Sequence, residues 1–264
     1  MQWLARGERD VPVGQQWLTA TEAQRAASMK FTKRRTEYLL RRFAGKSAVA
    51  AVTGMPADPS GLGRIGVLNR RTGAPYVQVD GTELGLDVSL TDRAGWAVCL
   101  VAPDLGAVGV DLEIVEPRSK GFVRDFLTPA EQALVASVPG PDGFDAAANL
   151  IWSAKESALK VLRTGLRADT RSVEVTIADP QAIADPPTIA DPQAIADAGS
   201  AGWQRLHVAS GADRFPGWWR RDGVFLLTVV AATGLADPPT VLTGSADLTR
   251  AEPLHSWVAK PLVD

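Results

Sequence analysis

The chain predicts an α+β fold, and three observations carry that reading. Two long stretches, Lys33 to Val52 and Asp145 to Leu162, space their apolar residues as helices do and contain no proline. Short apolar runs at Leu86 to Thr91, Trp96 to Val101, Ala107 to Leu112, Trp203 to Val208, Arg214 to Arg220 and Val224 to Val230 read as strands bounded by turn residues. Helix and strand both occur on either side of about residue 106, so each part of the chain carries its own mixture.

Taken in order, Thr21 is a candidate cap for a short helix through Met29, and the helix from Lys33 is ended by Gly54. At 100° per residue, Leu39, Leu40, Phe43, Ser47 and Ala50 gather on one face of that helix, with Arg35, Arg42 and Lys46 along its flank. Ala57 to Gly61 reads as a loop, Arg64 to Leu68 as a strand and Asn69 to Gly73 as a turn. Thr128-Pro129-Ala130-Glu131 is a helix start: Thr caps, Pro fits the first turn, and Glu131 can accept from the cap's own N–H. Pro139 to Gly143 breaks that helix before the next begins, and Arg171 to Ile177 returns as a strand.

From Ile177 a six-residue unit, Ile-Ala-Asp-Pro-Gln-Ala, repeats with small changes at Ile183, Ile189 and Ile195. Proline at that interval forbids a helix or a central strand. Residues 177–198 therefore read as an acidic, extended or disordered insertion with no catalytic role. The last three strands form an antiparallel set, with a tight turn at Arg221-Asp222-Gly223 joining the final pair.

Composition narrows the chemistry. A net charge of −2 argues against nucleic acid as the main partner, yet residues 1–50 hold ten Lys or Arg against four acids, a local basic surface suited to a small polyanion. No apolar run reaches the roughly 18 residues of a membrane span and the N-terminus lacks a secretion signal, so the expected location is cytoplasmic, away from any membrane. The single cysteine, Cys99, lies in an apolar strand and excludes an intramolecular disulfide or a cysteine-rich metal site. His207 and His255, the two histidines, stand far in sequence from any acidic motif, so proton transfer falls to a carboxylate, a lysine or a bound water.

The acidic motif is Gly109-Val110-Asp111-Leu112-Glu113. On a strand, Asp111 and Glu113 share a face, roughly 6.5 to 7 Å apart. Hard oxygen ligands that close suit a divalent ion such as Mg²⁺, which takes one or two carboxylates plus substrate phosphates. In the following helix Trp152, Glu156 and Lys160 recur every four residues and form one stripe, about 6 Å of rise between neighbours. That stripe offers a third carboxylate and an ammonium, with Lys155 beside it.

Gly-Val-Asp-Leu-Glu followed by Trp152-Ser153-Ala154-Lys155-Glu156-Ser157-Ala158-Leu159-Lys160 resembles the signature of the 4′-phosphopantetheinyl transferases, and Leu127 to Glu131 resembles the segment between. With a substantial region ahead of Asp111, the chain resembles the large, monomeric, two-half class that serves peptide and polyketide synthases. The resemblance implies two similar α+β halves related by a pseudo-twofold: residues 1–106 contacting coenzyme A phosphates, and residues 107–264 carrying the Mg²⁺ and catalytic motifs. It implies transfer of the phosphopantetheine arm of coenzyme A to a serine of an acyl or peptidyl carrier protein, a transient partner.

Asp111, Glu113 and Glu156 are then the metal residues. Glu156, Lys160 and Lys155 are the catalytic ones: Lys160 neutralises the pyrophosphate, Lys155 assists the leaving group, and either Glu156 or a metal-organised water takes the serine proton. Arg35, Arg42, Lys46, Ser89, Thr91 and Arg93 are the coenzyme A contacts, the first two from a segment, Arg34 to Arg42, that resembles the family's N-terminal arginine motif. Two departures stand out. Ala74 replaces the lysine of the family's Gly-Lys-Pro, and Asp92 replaces a histidine that helps hold the 3′-phosphate, with Arg93 placed to compensate. A homologue impaired in transfer, retaining only carrier or nucleotide binding, is the alternative those losses suggest.

Overall fold

The computed structural model describes residues 1–103, 106–165, 168–184, 202–234 and 236–254. Antiparallel sheets covered by helices give the α+β architecture, and the chain divides into two units. His255 and residues 185–198 of the repeat lie outside the described residues. No helix among the described residues is long and apolar enough to cross a membrane.

Unit 1 comprises Met1–Asp104, Val241–Asp247 and Ala251–Asp264. It begins with β1 (Gln2–Gly7), then α1 (Ala20–Ala27), α2 (Thr32–Thr53) and α3 (Pro59–Arg64). Next come β2 (Ile65–Asn69), β3 (Pro75–Val79), β4 (Thr82–Glu83), β5 (Leu86–Arg93) and β6 (Trp96–Pro103). One sheet runs β12-β1-β6-β5, with β12 at Thr240–Val241, and a second runs β2-β3-β4. α2 lies across both and buries Leu39, Leu40, Ala44 and Ala48 against Leu4, Val67, Ala97 and Cys99. Its end is set by Gly54, whose φ of 70° closes a left-handed cap.

Three local readings need correction. The cap of α1 is Thr19, two residues before Thr21: the Thr19 side chain accepts from the Glu22 N–H and the Glu22 carboxylate accepts from the Thr19 N–H, completing a capping box. The stretch read as a loop starts α3, since Asp58 caps and Pro59 fits the first turn. The repeat is not wholly extended: α7 (Gln181–Ala184) forms across its first and second copies, with Ala182 and Ile183 buried.

Unit 2 comprises Leu105–Thr240 and Leu248–Arg250. Its strands are β7 (Val108–Ile114), β8 (Glu174–Ile177), β9 (Gln204–Ser210), β10 (Asp213–Asp222) and β11 (Phe225–Ala231), in the sheet order β7-β11-β10-β9-β8. The helices α4 (Lys120–Phe126), α5 (Pro129–Ser137) and α6 (Gly143–Val161) cover one face. β11 pairs antiparallel with β7, setting Thr228 opposite Asp111 and Leu226 opposite Glu113. Gly109 is what lets α6 lie so close: a Cβ there would come within 1.9 Å of the Ser157 carbonyl oxygen.

One local arrangement occurs in each unit. In unit 1, Glu22 completes the Thr19 cap, accepts the Val67 N–H in the middle of β2, and takes the Lys46 ammonium of α2 at 2.6 Å. In unit 2, Glu131 completes the Thr128 cap, accepts the Val175 N–H of β8, and takes the Lys155 ammonium of α6 at 2.8 Å. The same sequence interval separates Thr19 from Thr128, Glu22 from Glu131 and Lys46 from Lys155.

Candidate active site

The β7 alternation puts Asp111 and Glu113 on the face covered by α6, where they are 7% and 9% exposed. Asp111 is held from two sides. Its Oδ1 accepts from the Lys160 ammonium at 2.9 Å, and its Oδ2 accepts from the Ser153 hydroxyl at 3.0 Å. Lys160 also donates to the Val110 carbonyl at 2.6 Å, so its position is fixed by the strand as well as by the charge.

Glu156 stands on the same helix stripe, half-buried, four residues from Lys160. Burial pushes its carboxyl above the ordinary glutamate value, the negative charge of Asp111 adds to the rise, and Lys160 partly offsets it. Trp152 continues the stripe into an aromatic cluster, its ring 5.2 Å from Phe122 and 5.3 Å from Phe126. Glu113 is turned toward Arg118 at 3.6 Å, and Arg118 is itself bound to Asn149 of α6 and stacked on Phe122.

These contacts test whether the residues suit a divalent cation. Asp111 and Glu156 are oxygen donors near enough to repel, and a cation between them would relieve that repulsion. Glu113 is ion-paired to Arg118, and no group of three or more potential ligands is arranged for a metal among the described residues. The fit is therefore to a cation on one or two carboxylates whose remaining positions belong to substrate phosphates and water.

Lys155 is not where the sequence reading put it. It is fully buried, ion-paired to Glu131 and donating to the carbonyls of Thr170 and Val173. Lys46 repeats the case in unit 1, fully buried with Glu22 and the carbonyls of Leu62 and Ile65. Burial lowers both ammonium groups and the adjacent glutamates oppose that. A helix places one ammonium inward when a carboxylate and two carbonyls replace its hydration, and both lysines are held in that way.

The basic flank of α2 divides in the same way. Arg42 is buried, donating to the Val67 carbonyl and to Asn69, with its guanidinium 4.8 Å from the Tyr38 ring. It lines a cavity of about 570 Å³ with Arg25, Tyr38, Arg41, Asn69 and Tyr76. A neighbouring cavity of about 530 Å³ shares Arg25, Met29 and Arg41 and adds Lys30 and Arg34. Arg35, half-buried, lines neither. Asp92 is ion-paired to Arg41, not to Arg93: alternation along β5 sends Arg93 to the opposite face together with Ser89 and Thr91.

Glu8 is buried on the same side as Asp92, and burial first, then Asp92 and Glu37, push its carboxyl up to about 6 from an ordinary 4.5. A carboxyl raised on folding binds its proton more tightly in the folded state, so stability falls as pH climbs through that window. Glu8→Gln is expected to stabilise the protein by roughly 1–2 kcal/mol at pH 7.5 and by nothing at pH 4, read from thermal melts at both. Equal melting of variant and wild type at pH 7.5 refutes the buried charge.

The sequence reading gives no role to Ser153, Ser157, Thr228 or Arg118, counts Arg25 only in the basic surface of residues 1–50, and places Arg41 only within the Arg34 to Arg42 segment. The two serines carry a signal in their four-residue spacing beside the Glu156 stripe; Thr228 and Arg118 carry none. No curated protein matches the chain. Residues 107–195, the stretch that holds Asp111, Glu113, Glu156 and Lys160, match the family model for the 4′-phosphopantetheinyl transferase superfamily.

Proposed function

We propose that the protein moves the 4′-phosphopantetheine moiety of coenzyme A to a serine of an acyl or peptidyl carrier protein, with Mg²⁺. Phosphopantetheinyl transfer in general follows from the superfamily. The acceptor, the metal and the residue roles are read from the site. The observation that carries them is the meeting of a fixed carboxylate, Asp111, an ammonium, Lys160, and a carboxylate of raised proton affinity, Glu156, on one helix and strand.

In this reading the carrier serine Oγ forms a bond to the phosphorus bearing the pantetheine arm. The bridging P–O bond breaks, adenosine 3′,5′-bisphosphate leaves, and the serine proton goes to Glu156. Proton transfer of this kind needs a base whose pKa has been brought toward neutrality, which is the direction of the Glu156 shift. Asp111 would hold Mg²⁺, Glu156 flanks it, and Glu113 contributes only on release from Arg118. Bound there, Mg²⁺ supplies neutralisation of pyrophosphate charge, the main need of phosphoryl transfer. Lys160 adds a second positive charge at that position.

In unit 1 we assign phosphate recognition to Arg25 and Arg41, with Arg35 on the same helix and Tyr38 and Tyr76 as apolar walls for a base. Arg42 shapes that cavity from within, and Ser89, Thr91 and Arg93 form a separate set of ligand contacts on the other face of β5. The claim of Asp92 on Arg41 favours a second reading, an impaired homologue that binds without transferring.

Incubation with coenzyme A, Mg²⁺ and an apo carrier protein, followed by intact-mass analysis, separates the two. Transfer adds the mass of one arm, whereas binding alone leaves the carrier unchanged. Asp111→Ala is expected to lower Mg²⁺-dependent turnover by a factor on the order of 10² or more. Wild-type activity that persists undiminished in a chelator overturns the metal assignment.

A further inference from the structure

Asp111 is approached by a buried row of hydroxyls that neither catalysis nor packing accounts for. Ser153 Oγ lies 3.0 Å from Asp111 Oδ2 and 2.9 Å from Thr228 Oγ1. Ser157 Oγ lies 2.8 Å from the same Thr228 Oγ1 and 3.1 Å from the Thr228 carbonyl oxygen. All three side chains are fully buried. They come from two elements: Ser153 and Ser157 one turn apart on α6, and Thr228 on β11, directly opposite Asp111 in the strand register.

The chemistry of each group fixes the direction of the row. An ionised carboxylate only accepts, so Ser153 must donate to Asp111. Its one hydrogen is then used, and Thr228 must donate to Ser153. Thr228 in turn accepts from Ser157, whose single hydrogen is shared between the Thr228 Oγ1 and the Thr228 carbonyl oxygen. The Ser153 and Thr228 O–H groups therefore point along the row toward Asp111, and their dipoles add at the carboxylate.

We propose that Ser157, Thr228 and Ser153 are positioning residues for Asp111: a directed hydroxyl row that fixes the orientation of the carboxylate and keeps Oδ2 occupied, leaving Oδ1 as the oxygen presented to Lys160 and to a divalent cation. The proposal rests on the reading of Asp111 as a metal carboxylate. It makes the row the outer support of a metal ligand, a kind of partner whose loss costs roughly 10–100-fold in metal affinity or activity. Thr228 is well suited to the test because valine keeps its shape and removes only the hydroxyl.

Binding of Mn²⁺, measured by electron paramagnetic resonance on the full chain with coenzyme A present, is compared among wild type, Ser153→Ala, Thr228→Val and Thr228→Ser, alongside thermal melts and turnover as a function of Mg²⁺. Ser153→Ala is expected to weaken Mn²⁺ binding at least roughly tenfold, Thr228→Val by a smaller factor, and Thr228→Ser to restore it. The Mg²⁺ concentration for half-maximal turnover should shift in the same order while kcat at saturating Mg²⁺ changes less. Unchanged Mn²⁺ binding in both Ser153→Ala and Thr228→Val overturns the proposal, as does Thr228→Ser binding as weakly as Thr228→Val, which would assign the effect to packing. Should Thr228→Val fail to fold, Ser153→Ala, lacking a single oxygen, decides alone. A wild type that neither binds Mn²⁺ nor transfers the arm overturns the reading of Asp111 itself, whereas a competent wild type with indifferent variants overturns only the row.

Discussion

Glu156→Gln is expected to reduce arm transfer by a factor of roughly 10²–10⁴, the usual contribution of a positioned base, while coenzyme A binding persists. The amide has the size of the carboxylate and leaves Lys160 on Asp111, so the phosphate contacts are untouched. What disappears is the group that takes the serine proton. A pH profile sharpens the test. Burial and Asp111 raise Glu156 above 4.5, and a base works only when ionised, so wild-type turnover should fall on the acid side at a pH above 4.5. A cation bound directly by Glu156 would pull the same limb down. A limb at or below 4.5 therefore assigns Glu156 to the cation, and undiminished transfer by the glutamine variant removes it from both roles.

What was legible in the sequence follows from where each signal lies. The helices α2 and α6 declare themselves by apolar residues at the helical period, and the strand β7 by its alternation of apolar and acidic residues. Asp111, Glu156 and Lys160 are legible for the same reason: two regular periods place them, and the structure sets Lys160 2.9 Å from Asp111, with both close enough to Glu156 to act on its carboxyl. The fate of Lys46 and Lys155 was illegible, since spacing shows which way a side chain leaves its helix but not whether a carboxylate from another helix waits there. Glu22 and Glu131 are such carboxylates, and they look in sequence like mere capping residues. The local arrangement shared by the two units was hidden likewise, because it is carried by Thr, Glu, Lys and one strand N–H with unlike sequence between. β1 escaped notice for another reason: Gln2–Gly7 mixes polar and apolar residues, and its place is fixed by pairing with the distant β6.

Lys155→Met is expected to destabilise the protein by about 3–5 kcal/mol, the penalty of stranding one member of a buried ion pair. Glu131 would keep its hydrogen bonds from Thr128 and Val175 but lose its Lys155 ion pair, in a site where both side chains are shut off from water. The carbonyls of Thr170 and Val173 would lose a donor at the same time. For a chain of this size that loss corresponds to a fall of roughly 10 °C in melting temperature. Adding Glu131→Gln to the variant removes the uncompensated charge and should return part of the stability, so the two changes together cost less than their sum in urea unfolding. Turnover provides the second readout. Because Lys155 is turned away from Asp111 and into this knot, the fraction of Lys155→Met that is folded at low temperature should transfer the arm within a few-fold of wild type. A variant that melts like wild type yet loses turnover a hundredfold would put Lys155 back among the reacting groups and make its burial with Glu131 incidental.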